Sequence, residues 1–213
     1  MTHFAKSRAV ALSCLLSLAA VAASAAPSTP AIVLATSGTE FESTPYTLGF
    51  SFSVQSAVSL DALGVWDRDA DGLEAPGEVA LWKDGDSKPL TLATVDSGTT
   101  ATLLGGFRWV PVTALLLSPG QVYVVGTFLD GGWATSFGLA QGGSAVVDGR
   151  VAIVEDRFST DFMLTYPNDS NKSAGGAWLG ANLQISAVPE PEQAAMLVAG
   201  LAAIALLARR RQS

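Results

Sequence analysis

A run of nine residues sets the terms for the middle of this chain. Over Tyr46–Val54, Leu48, Phe50, Phe52 and Val54 alternate with Thr47, Gly49, Ser51 and Ser53. Successive side chains of an extended backbone point to opposite faces, so this alternation predicts a half-buried strand with one apolar face. Residues 58–66, 78–82, 90–95, 107–112, 122–128, 145–154, 162–166 and 178–185 are further candidate strands, and 115–117 a short edge strand. Turn chemistry separates them: Asp84-Gly85-Asp86, Gly105-Gly106, Ser118-Pro119-Gly120, Asp130-Gly131-Gly132 and Gly142-Gly143. No window between the chain's two ends has a helical period. The pattern predicts an all-β fold, a single β-sandwich of jelly-roll-like or Ig-like type. It occupies 46–187, preceded over 26–45 by a leader and first strand, with the Ala/Pro/Ser/Thr-rich stretch 26–30 read as flexible.

The ends are of another kind, and they supply much of the 49% hydrophobic content and the mean hydropathy of +0.36. Lys6 and Arg8 precede a largely apolar run over 9–23, and Ala23-Ser24-Ala25 closes it with small residues. Charged start, short apolar middle and small-residue end predict a secretory signal peptide over 1–25, cut by signal peptidase after Ala25. Cutting one residue later would leave Pro27 directly behind the bond. Leu12-Ser13-Cys14 loosely resembles a lipobox, the mark of a lipoprotein. Only five residues separate Arg8 from Cys14, too few for an apolar region, and the run continues past the cysteine.

At the other end, Val188-Pro189-Glu190-Pro191-Glu192 stops any preceding strand, because proline fixes its own backbone and restricts its neighbour. Residues 194–208 are fifteen without a charge, followed by Arg209, Arg210 and Arg211. Fifteen helical residues reach about 22 Å against a hydrocarbon core of about 30 Å. Snorkelling arginines and local thinning cover the difference, so 194–208 is predicted as a transmembrane helix. The arginines act as a cytoplasmic stop, which leaves the domain outside the inner membrane.

His3 and Cys14 are the only histidine and cysteine, and both leave with the signal. The remaining chain has no means of forming a disulfide, thiol or Ser-His-Asp catalysis, or a thiolate or imidazole metal site. Residues 26–188 carry 17 Asp/Glu against 7 Lys/Arg, a net charge of −10. Phosphate binding needs a basic stripe, so nucleic acid is not an expected partner.

One local motif has metal-ligand spacing. Asp67, Asp69 and Asp71 alternate through Asp67-Arg68-Asp69-Ala70-Asp71-Gly72-Leu73, and Glu78 is the twelfth residue from Asp67. Alternate carboxylates converge on a hard cation, Gly72 permits the sharp turn, and the Leu73 carbonyl adds a neutral ligand: the pattern of a calcium loop. Strands on both flanks, Glu74 at the eighth position and Pro76 depart from an EF-hand. A strand-joining calcium loop and a plain solvated acidic hairpin loop are both open readings. Trp66, Trp82, Trp109, Trp133 and Trp178 either pack in the core or stack on sugar rings. Trp66 and Trp82 fall out of step with Val65, Val79 and Leu81, so they are expected to face away from the aliphatic core. Carboxylate-pair glycoside hydrolysis is the one enzyme class that the missing His and Cys leave comfortable.

Two resemblances extend this. Residues 188–213 resemble the PEP-CTERM sorting signal of Gram-negative bacteria: Pro-Glu-Pro, apolar helix and Arg cluster stand in that order. The resemblance implies recognition and cleavage by an exosortase, a membrane cysteine protease, and a link to exopolysaccharide and biofilm. Residues 49–128 resemble an uncharacterised extracellular bacterial β-sandwich family. That likeness rests on Phe50-Ser51-Phe52, Ala62-Leu63-Gly64-Val65, Asp71-Gly72-Leu73, Val79-Ala80-Leu81-Trp82, Gly105-Gly106-Phe107-Arg108-Trp109 and Leu117-Ser118-Pro119-Gly120-Gln121-Val122-Tyr123. It implies a fold and no activity. The expectation is a non-enzymatic, exported structural or adhesive protein, anchored transiently and then released to the surface or matrix. The alternatives are a calcium-stabilised carbohydrate-binding module and a carboxylate-pair glycosidase.

Overall fold

The alternating run is a strand over Tyr46–Val54, and Leu48, Phe50, Phe52 and Val54 are all buried on its inner side. A computed structural model describes residues 26–42, 45–140, 142–188, 198–202 and 204. In chain order the strands are β1 (Thr29–Pro30), β2 (Ile32–Thr36), β3 (Phe41–Glu42), β4 (Tyr46–Val54), β5 (Val58–Trp66), β6 (Gly77–Lys83), β7 (Thr91–Val95) and β8 (Thr102–Leu104). They continue as β9 (Phe107–Leu117), β10 (Val122–Leu129), β11 (Trp133–Phe137), β12 (Ser144–Val147), β13 (Val151–Ser159), β14 (Ala177–Leu179) and β15 (Ala181–Ala187). Two five-stranded sheets, ordered β1-β15-β5-β9-β8 and β13-β4-β10-β6-β7, carry the architecture, with small sheets β14-β11-β3 and β12-β2 beside them. Leu60, Leu63, Val65, Leu183 and Ile185 from the first sheet meet Phe50, Phe52, Val79, Leu81 and Val125 from the second in one core. The described body is thus all-β and sandwich-like.

The other side of β4 differs from the sequence reading. Thr47 and Ser51 are as buried as the phenylalanines, so the strand is covered on both faces. The cover comes from the segment expected to be a strand at 162–166, which is irregular instead. Local side chains capture its backbone: Asp161 N–H donates to Ser159 Oγ, and Thr165 N–H to Thr47 Oγ1. Pro167 removes a donor and sits over Gly126, where there is no side chain to obstruct it. Such local bonds give the backbone partners other than a sheet ladder.

Other boundaries moved for readable reasons. The run at 145–154 is two strands, because Asp148-Gly149 makes a turn closed by Val151 N–H donating to the Asp148 carbonyl. Likewise 178–185 divides at Gly180 between β14 and β15, where a Cβ would meet Thr127 Cγ2 at 2.4 Å. In contrast, 107–112 and 115–117 are one strand, β9, whose register against β5 shifts between Leu60 and Ala62. Pro111 lies beside that irregularity, a position where a missing N–H is tolerated. The stretch 26–30 read as flexible is partly ordered: Thr29 pairs with Ile185 and Pro30 with Gln184.

Residues 198–202 and 204 are helical and exposed. Among the described residues no helix is long and apolar enough to cross a membrane. The expected signal segment with Ala23 and Ala25, the Pro189, Glu190 and Pro191 motif, Arg209, Arg210 and Arg211, and most of 194–208 lie outside the described residues.

The turn between β12 and β13 holds the start of the domain. Arg150 forks onto Asp148, with Nε to Oδ1 at 2.9 Å and Nη2 to Oδ2 at 2.7 Å, and Nη2 also donates to Thr29 Oγ1. The hydrogen bond from Arg150 is the main reason the Asp148 carboxyl lies at about 2 rather than its ordinary 3.8. A folded-state value below the unfolded one stabilises above the unfolded value, and the gain is lost as pH falls from about 4 to about 2. Because the pair is partly solvated, on the order of 1 kcal/mol is expected rather than the full linkage value. Urea titrations of Asp148→Asn and wild type should differ by that amount at pH 6 and converge near pH 2.

Candidate functional site

The acidic loop leaves β5 at Trp66 and returns at Gly77, so it joins two strands of opposite sheets. Its first residue, Asp67, is buried, and Asp69 and Asp71 are exposed. Carboxylate oxygens of the three lie within 4.8 Å of one another. The backbone between them is tight: Ala70 has φ 65°, and Gly72 has φ 126° with Gly98 so close that a Cβ would lie 2.9 Å from its carbonyl carbon. Only glycine accommodates both conditions at position 72.

Arg108 holds this turn in place. It occupies the β9 position opposite Val65, next to the core, and its side chain is 6% exposed against 1% for Asp67. Arg108 Nε donates to Asp67 Oδ2 at 2.7 Å, Nη2 to the Ala70 carbonyl, and Nη1 to the carbonyls of Thr99 and Ala101. Asp67 Oδ1 accepts from Gly72 N–H at 3.4 Å. One guanidinium thereby closes the β5–β6 loop and the β7–β8 loop over the end of the core. Arg68 points the other way, over the Trp133 ring at 3.7 Å, with Nη2 3.5 Å from Asp69 Oδ2.

Of the five expected ligands, the three aspartates are brought together, Glu78 is not, and the Leu73 carbonyl is engaged elsewhere. Leu73 buries its side chain in the core, and its carbonyl accepts from Gly98 N–H. Glu78 stands in β6 between Thr94 and Phe128, outside the carboxylate group, because the chain is already extended from Gly77 onward. The exposed pair has the electrostatics of crowded anions. Asp69 and Asp71 hydrogen-bond to each other, which lowers Asp69; the same bond, then the charges of Asp69, Asp67 and Glu74, raises Asp71. Arg108 is the residue that sequence reasoning missed. A lone arginine between Phe107 and Trp109 in an apolar strand was its only signal, since a buried charge requires a partner.

Trp66 and Trp82 do turn away from the main core, and both are buried all the same. Trp66, Ala62, Phe107 and Trp109 form a second cluster on the outer face of the first sheet, with Leu34 and Trp133 against it. Trp82 packs edge-on to Tyr166, whose hydroxyl donates to Asp84 Oδ1 at 2.6 Å. Trp133 and Trp178 are half-buried. None of the five forms part of an exposed row.

Two hollows open on the surface formed by the described residues. One, of about 280 Å³, is lined by Asp96, Thr100, Thr102 and Trp109 among others, and so holds one carboxylate. The other, of about 260 Å³, lies between Phe41, Tyr46, Leu48, Phe158 and Trp178, with Thr160 and Asn171 as polar members. The Trp178 indole N–H is enclosed and has no acceptor among the described residues, a lack that costs about 1–3 kcal/mol where it persists. Comparison with protein-family models finds no match, and a search of curated proteins finds none either.

Breaking a buried pair strands a charge, at a cost of about 3–5 kcal/mol. Arg108→Met should therefore lower the unfolding free energy by about that much in a urea titration. Asp67→Leu combined with Arg108→Met should recover most of it, since neither charge is then left alone.

Proposed function

We propose that this chain is an exported, non-enzymatic structural or adhesive module of jelly-roll-like or Ig-like type, directed outward by residues 1–25 and retained transiently by its C-terminal tail. The observation that carries the reading is the order of three elements in the sequence: Pro189-Glu190-Pro191, the uncharged stretch 194–208, and Arg209 to Arg211. The last strand, β15, ends at Ala187, just ahead of that tail. Residues 26–188 contain neither cysteine nor histidine, which supports the non-enzymatic part. In this reading an exosortase cuts the tail and the domain passes to the cell surface or an exopolysaccharide matrix.

Anchoring and release should separate by mutation. Arginines behind an apolar helix resist transfer through hydrocarbon, whereas two prolines keep the motif extended for a protease. With Pro189, Glu190 and Pro191 replaced by alanine, fractionation should find full-length protein, C-terminal tag included, in the inner membrane. If that variant loses its tag and leaves the membrane as wild type does, the tail is an anchor only.

A second reading, calcium stabilisation, is favoured by the meeting of Asp67, Asp69 and Asp71. Asp69, Asp71 and one oxygen of Asp67 would hold the ion, without Glu78, which stands in β6. Three carboxylates suit a weak extracellular site, with dissociation constants of about 10⁻⁴–10⁻³ M. At about ten times that concentration, binding to the folded state alone stabilises by about 1.4 kcal/mol. Millimolar calcium should raise the melting temperature of wild type relative to chelator. It should not raise that of Asp69→Ala/Asp71→Ala, which leaves the Asp67–Arg108 pair intact. An equal melting temperature of wild type in both conditions would dismiss the ion.

A further inference from the structure

The hollow between β3, β4, β13 and β14 has features that the sorting tail and the acidic loop do not explain. Two of its walls are aromatic rings at right angles: Phe41 and Trp178 meet edge to face, with centroids 5.7 Å apart and planes at 90°. Tyr46 and Phe158 add two more rings. Both Phe41 and Trp178 are only half-buried, so ring surface remains open to a ligand.

One polar member, Asn171, is set rather than loose. Asp156, fully buried, accepts at Oδ2 from both the backbone N–H and the side-chain Nδ2 of Asn171, at 2.9 and 3.0 Å. Its other oxygen accepts from Ser173 N–H at 3.1 Å. A buried carboxylate therefore fixes the Asn171 carboxamide and leaves its carbonyl oxygen as an unused acceptor among the described residues. The hydroxyls of Thr160 and Tyr46, both lining the hollow, likewise engage no partner there. A fixed carboxamide and two free hydroxyls around an apolar floor are the arrangement of a small-molecule site, and about 260 Å³ fits one ring rather than a chain of them.

We propose that this hollow binds one neutral pyranose ring. Such a ring offers C–H groups on its faces, which pack against aromatic carbons, and hydroxyls around its rim, which both donate and accept. It is the ligand class that uses perpendicular rings together with a carbonyl acceptor and two hydroxyls. Neutrality follows from charge: no Asp, Glu, Lys or Arg lines the hollow, and residues 26–188 carry a net charge of −10, which repels acidic sugars. The site is independent of calcium and of the tail, so it stands or falls separately from the function proposed above.

The test uses the purified full chain and four probes: the methyl glycosides of glucose, galactose, mannose and N-acetylglucosamine. Tryptophan fluorescence and saturation-transfer NMR read binding, with cyclohexanol as an apolar ring of similar size. At least one glycoside should saturate in the low millimolar range. Removing one hydrogen-bonding group should weaken it roughly five-fold, so Asn171→Ala and Thr160→Val should each do so. Melting curves identify any variant that fails to fold; Thr160→Val, at the rim, keeps the test decisive if Asn171→Ala does. The proposal is overturned if no glycoside saturates below about 50 mM. It is equally overturned if cyclohexanol binds as tightly, which makes the hollow a plain apolar slot, or if the folded variants bind as wild type does.

Discussion

The guanidinium of Arg108 makes its hydrogen bonds where water hardly reaches, and two loops take their shape from it. One bond goes to the Asp67 carboxylate and three go to main-chain carbonyls at Ala70, Thr99 and Ala101. Two charges withdrawn from water are tolerable only when every remaining donor and acceptor is used, and here Asp67 is completed by Gly72 N–H. The same network holds Ala70 at positive φ and brings Gly72 against Gly98, so the end of the core between the two sheets is closed by polar contacts rather than by side-chain packing. Asp69 and Asp71 are displayed on the outer rim of a loop whose inner rim is already committed to structure.

That division changes the meaning of the acidic motif. Its spacing suggests five equivalent ligands, but the fold assigns them different work. Asp67 belongs to Arg108, Leu73 to the core and the Gly98 bridge, and Glu78 to a strand. Two exposed carboxylates and part of a third remain. Chain spacing fixes where a ligand sits along the backbone, whereas coordination depends on which way the backbone turns, and the strand beginning at Gly77 carries Glu78 away.

Aromatic residues show a similar split. Ala62, Trp66, Phe107 and Trp109 form a buried cluster outside the main core, and Trp82 is covered by Tyr166. A two-sheet fold with apolar groups on its outer faces needs further cover. The segment 160–168, the small sheets and Trp133 supply it, which is why β4 is buried on both sides. Less covered are Phe41, Phe158 and Trp178, at the edge where β13 and β14 leave a hollow.

Much of the strand content was legible in advance. Tyr46–Val54 and Val58–Trp66 could be read to the residue because period-two alternation against a core is a local constraint. The absence of cysteine and histidine from 26–188, the acidic balance, and the three-part end of the chain are likewise properties of sequence alone. Short strands such as β3 and β11 were not legible, since each depends on a partner distant in the chain, and β8 is only three residues long. The same holds for the pairing of Arg108 with Asp67, forty-one residues apart, and of Asp156 with Asn171 across an irregular loop. Local pattern determines which face of a strand is apolar. Which charge meets which, and which aromatic rings stay open, is decided when distant segments compete for the same buried space, and only the tertiary structure resolves that competition.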